Sequence, residues 1–111
     1  MRYKKFHDTA RLLKKSLPAD LPVKIRRVIM PKDAWGDCSL EGDYYLIRVE
    51  KNVPDYLAID ILMHEYAHAL SWNKQDDHSN SWGIAYAKIY RKYLEVWDIV
   101  HELKVAAKTK K

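Results

Sequence analysis

The sequence predicts an α+β domain in which an N-terminal helix, a small antiparallel sheet of about three strands, a central helix and a long C-terminal helix follow one another. Three observations carry this. Apolar residues recur at steps of three and four over residues 2–17, and again from Ser81 to about Lys108, the period of a helix face. Between Pro22 and Pro54, short segments broken at Pro31 and Gly42 alternate apolar with polar residues, the period of a strand. The apolar run from Tyr56 to Trp72 is long enough for a helix and carries His64, Glu65 and His68 inside it.

Taken in order, Tyr3, Phe6, Ala10, Leu13 and Leu17 form the first stripe, and Pro18 ends it. Pro22 opens Val23 to Ile29, where Val23, Ile25 and Ile29 are expected to face inward. Trp35 to Leu40 and Tyr44 to Glu50 flank Glu41-Gly42-Asp43 as a hairpin, with Tyr45, Ile47 and Val49 turned to the core. The outward side of that second arm is a candidate sheet edge, to which an extended chain can add. Asn52-Val53-Pro54-Asp55 is a helix-start signal. The following helix is apolar nearly all round and must be covered on most sides. Trp72 to Ser81 is a polar loop. In the last helix Trp82, Ala85, Tyr86, Ile89 and Tyr93 share one stripe, which is core packing before it is anything else.

At 111 residues and 13.1 kDa the chain holds one domain, residues 1–111. A lone cysteine, Cys38, excludes an internal disulfide and a four-cysteine zinc ribbon, so a metal site must draw on histidine and carboxylate. Asp60, His64, Glu65 and His68 interrupt the most apolar segment, which argues against a membrane span. Residues 1–15 carry six Lys and Arg without an apolar core, the pattern of a mature helix and not of a targeting peptide. A cytoplasmic protein with no membrane partner is expected. The net charge of +5 and pI near 9.3 permit weak nucleic-acid binding, or attraction to acidic proteins, through a basic surface. Part of that charge lies in a basic tail at 106–111, expected to be frayed.

The chemistry concentrates in His64-Glu65-Tyr66-Ala67-His68. Two histidines four apart fall on one helix face, close enough for both imidazoles to reach one Zn²⁺, and in the HExxH pattern the intervening carboxylate is the base and not a ligand. The plain alternative is a buried helix whose histidines are merely hydrogen-bonded. A catalytic zinc takes three protein ligands, and His78, which follows the helix by a short loop, is the best-placed third donor. Asp76, Asp77 and the upstream Cys38 are the other candidates. Asp60, one turn before His64, either orients its imidazole or is a solvent-exposed first-turn carboxylate. A tyrosine such as Tyr86 or Tyr90 is a candidate for stabilising an oxyanion.

His64-Glu65-Tyr66-Ala67-His68-Ala69-Leu70-Ser71-Trp72, the polar loop, and His78-Ser79-Asn80-Ser81-Trp82 together resemble the SprT-like zinc metallopeptidases, whose HExxH helix is followed by a loop and an H-G-x-x-[W/F] segment. Gly36-Asp37-Cys38-Ser39 and the strand Leu46 to Glu50 are similar to that family's region before the helix. The resemblance covers roughly residues 35 to 95 and implies a zincin-like fold, Zn²⁺ as cofactor, His64, His68 and His78 as its ligands, Glu65 as catalytic base and a protein or peptide as substrate. Ser79 stands where the family's pattern has glycine, and the zinc ribbon of longer relatives has no counterpart, so the resemblance is to a minimal catalytic core. The competing expectation is a basic binding module for nucleic acid or protein with a structural or vestigial zinc site.

Overall fold

The computed structural model describes residues 4–72 and 80–109. Its elements are α1 (Lys4–Ser16), β1 (Val23–Val28), β2 (Gly36–Glu41), β3 (Tyr44–Glu50), α2 (Asp55–Leu70) and α3 (Asn80–Thr109). The α+β class and the order of elements agree with the sequence. The sheet does not: it is mixed, ordered β1-β3-β2, with β3 parallel to β1 and antiparallel to β2. Apolar content explains the order. Tyr45, Ile47 and Val49 of β3 are all buried, whereas β1 buries only Val23, so β3 gains most from neighbours on both sides. The expected edge therefore moves from β3 to β1 and β2.

A mixed sheet of this order requires the chain to leave β1, pass over the end of β3 and enter β2 on the far side. Backbone groups and one carboxylate hold that crossing. Glu50 N–H donates to Trp35 O at 2.8 Å, and Lys51 N–H to Val28 O at 2.8 Å. The Glu50 carboxylate accepts from Met30 N–H at 2.9 Å and from Asn52 N–H at 3.0 Å, and these bonds hold its pKa below the ordinary carboxylate value. The crossing also overturns one side-chain assignment. Ile29, expected to face inward, is 71% exposed, and Met30 takes the buried place.

Helix α2 lies on β2 and β3, and α1 and α3 pack on α2 and on each other. Phe6, Ala10 and Leu13 of α1 meet Ala58, Leu62 and Tyr66 of α2 in one core with Ile89 of α3. Two polar side chains that enter this core are hydrogen-bonded to backbone carbonyls. Tyr66 donates its hydroxyl to Leu17 O at 2.8 Å, fixing the end of α1 on α2, and buried Thr9 donates to Lys5 O at 2.8 Å. Arg27 is almost wholly buried, lies over the Phe6 ring, and donates to Glu50 O, Lys51 O, Val53 O and Asp55. Asp55 in turn accepts the Phe6 N–H at 3.1 Å, satisfying a first-turn donor of α1 that α1 itself cannot. The start of α2 is thus pinned to the sheet and to α1.

Side-chain volume sets the closest approach of α2 to β2. A Cβ on Gly36 would stand 2.5 Å from Ile61 Cγ2, 3.0 Å from Arg48 O and 3.5 Å from Glu65 Cγ. Ile61 Cγ2 branches at its Cβ and has little freedom to retreat. Gly36→Ala is expected to push α2 off β2 and lower stability by about 1–3 kcal/mol, the usual cost of overpacking, read as a fall in the thermal midpoint; an unchanged midpoint would show that the contact yields freely.

Candidate metal centre

All of His64, Glu65 and His68 lie on α2, and each is half-buried. The helix presents them on two sides. His64 and His68 turn to α3, where the Trp82 ring lies 5.0 Å from the first imidazole and 5.7 Å from the second. Glu65 turns to β2 and rests near the Cα of Gly36. The helical step of about 100° between adjacent residues separates the two sets, so a carboxylate stands beside the imidazole pair without being one of its row.

The imidazole centroids are 5.1 Å apart with ring planes at 72°. Two imidazoles each bound through one nitrogen to a shared zinc at about 2.0–2.1 Å place their centroids about 3.2 Å from it and, at a tetrahedral angle, about 5.2 Å from each other. The pair therefore has the spacing that a shared ion requires. Among the described residues no group of three His, Cys, Asp or Glu is arranged to hold a metal. The expected third donor, His78, and the alternatives Asp76 and Asp77 lie outside the described residues.

Cys38, the upstream alternative, sits on β2 opposite Ile47, on the face turned to the helices. Burial pushes its thiol up to about 12, with the negative charges of Glu65 and Asp37 adding to the shift. It is held as a neutral thiol, the wrong form for a ligand unless a cation intervenes. Glu65 is raised to about 7, first by burial and then by the charge of Asp37. Asp37 itself is held by Arg48, whose Nε donates to it at 2.9 Å across the β2–β3 pair.

The far wall of the site is aromatic. Tyr86 stacks 5.1 Å from Trp82 and 6.4 Å from His64, and its hydroxyl donates to Asp60 at 3.4 Å. Asp60 is exposed, so it is a surface carboxylate with a tyrosine partner. Tyr90 packs on Tyr86, one turn further out, at 6.1 Å. The stripe on α3 thus packs the core and also walls the imidazole pair, and the second role follows from the fold and not from the helical spacing. Gly36 and Asp37 belong to the segment whose resemblance the sequence shows, but that they adjoin Glu65 is evident only in the fold.

No known family model matches the chain, and no curated protein matches it.

The raised Glu65 value carries a stability consequence. A carboxyl whose folded pKa, about 7, exceeds the ordinary 4.5 favours the folded state when protonated, so its contribution is retained below pH 4.5, declines between 4.5 and 7, and becomes a full penalty above 7. In metal-free protein Glu65→Gln is expected to raise stability at pH 8 by on the order of 1 kcal/mol after discounting for solvent screening, read as a higher thermal midpoint, and to leave the midpoint unchanged at pH 4. Equal midpoints at both pH values would show that Glu65 is solvated.

Proposed function

We propose that this chain is a zinc-dependent metallopeptidase with a zincin-like, SprT-like catalytic core. The observation that carries the proposal is the imidazole pair of His64 and His68, 5.1 Å apart on one side of α2, with the half-buried carboxylate of Glu65 on the adjoining side. A row of merely structural histidines has no need of that carboxylate, and burying it without a cation is costly. His64, His68 and His78 are the proposed ligands. Bound there, zinc supplies a Lewis acid that acidifies water and polarises a carbonyl.

The residues of the chain perform the rest. Glu65 accepts the proton of the attacking water and passes it to the leaving nitrogen, a task suited to a carboxyl whose proton affinity is raised toward neutrality. Trp82 closes one side of the imidazoles to water. Tyr86, nearer the histidines than Tyr90, is the tyrosine to donate to the developing oxyanion, its hydroxyl turning from Asp60 to do so. Among the described residues β2 pairs only with β3, so its other edge can take an extended peptide by main-chain hydrogen bonds and lay it beside Glu65.

Glu65→Gln is expected to bind zinc as the parent does while peptide cleavage falls by about 10²- to 10⁴-fold, measured as metal content alongside turnover of an unfolded protein substrate; cleavage at the parental rate would exclude Glu65 as base. For His78→Ala, isothermal titration should show zinc affinity reduced more than about 100-fold. Parental affinity would assign the third position to another donor.

A further inference from the structure

Where the ends of α1 and α2 meet the first turns of α3, they leave a cavity of about 440 Å³ between them. Sites that hold small molecules run from roughly 300 to 1,000 Å³. Leu17, Leu70 and Ala85, half-buried or buried, make its inner wall, and exposed Ser16, Pro18 and Ile84 make its rim. Ile84 stands 58% open to water there. Exposed apolar surface that continues into an apolar hollow is the ordinary mark of a ligand site.

One charged side chain belongs to the lining, and it is a cation. Lys88 is exposed, and among the described residues no carboxylate lines the cavity or forms an ion pair with Lys88. Ser81, in the first turn of α3, adds a hydroxyl at the helix end whose dipole favours an anion. We infer that the cavity is a binding site for an aliphatic monocarboxylate, with its carboxylate on Lys88 and its hydrocarbon chain against Leu17, Leu70, Ile84 and Ala85.

The lining selects this ligand among anions. A single ammonium balances a single negative charge, whereas a phosphomonoester brings about two and asks for more donors than one lysine has. Among the described residues no aromatic side chain lines the cavity, so a nucleobase has nothing to stack on. A peptide would bring N–H groups that need acceptors, and two nearby carbonyls are already taken. Leu17 O accepts from the Tyr66 hydroxyl at 2.8 Å, and Ala67 O accepts from the Ser71 N–H at 3.1 Å and the Ser71 hydroxyl at 2.8 Å. A hydrocarbon chain needs no such partner. None of His64, Glu65 and His68 lines the cavity, and the inference stands whether or not the chain cleaves peptides.

The test is isothermal titration of the full chain with butanoate, hexanoate, octanoate and decanoate, each below its micellar concentration. Affinity is expected to rise about fourfold with each added methylene until the cavity is filled. Octanoate is expected to bind at least about tenfold more tightly than octylammonium, whose charge Lys88 repels. Lys88→Gln is expected to weaken octanoate by about tenfold or more and to leave 1-octanol unchanged. Ile84→Ser is expected to weaken both by about three- to tenfold. Both side chains are exposed, and circular dichroism checks that the variants fold. Lys24→Gln, on β1 and outside the cavity, is expected to change neither affinity. No saturable binding of octanoate overturns the inference, as does affinity that ignores chain length, equal binding of octylammonium, or parental affinity for octanoate in either cavity variant. Tighter binding of acetyl-leucyl-leucine than of octanoate overturns it in favour of a peptide.

Discussion

The contact between α2 and β2 at Gly36 is the constraint on which the rest of the molecule depends. With a hydrogen in place of a side chain there, the helix comes close enough for Ile61 to meet the strand directly and for Glu65 to rest against it. That proximity has a chemical effect as well as a packing one. It removes Glu65 from water, sets it near the charge of Asp37, and so raises its proton affinity toward neutrality. A bulkier residue would crowd Ile61, push α2 away from β2 and return the carboxylate toward solvent.

For this contact to recur in every molecule, the start of α2 has to be fixed, and polar groups do that. Arg27 is buried with its donors directed at three carbonyls and Asp55, a setting in which a guanidinium is tolerated because it is so fully bonded. Asp55 in turn closes the first turn of α1. Glu50, through Met30 and Asn52, holds the crossing that brings β2 to the far side of β3. One end of the sheet is therefore a set of interlocking hydrogen bonds, while the core behind it is apolar. The apolar part supplies most of the stability, and the polar part fixes the arrangement.

Around the candidate centre the molecule has two unlike sides. Trp82 and Tyr86 wall the imidazole pair on the α3 side, and Glu65 lies on the β2 side with Asp37 near it. Exposed lysines and arginines occur on α1 and α3, at Arg11, Lys14, Lys15, Lys88 and Arg91, and on the sheet side, at Lys24, Arg26, Lys32 and Lys51.

Much of this was legible in the sequence, for a definite reason. Helix and strand periods depend on neighbours a few residues apart, so the three helices, the inward row Tyr45, Ile47 and Val49, and the pairing of His64 with His68 on one helix face follow from spacing alone. Contacts between distant residues do not. That β3 lies parallel to β1, that Ile29 is exposed and Met30 buried, that Trp82 covers both imidazoles, and that Gly36 makes room for Glu65 were decided by tertiary structure. Strand order is set by which strand gains most from two neighbours, and a side chain's surroundings by what the rest of the fold brings against it. Neither quantity is encoded in the local period of the chain.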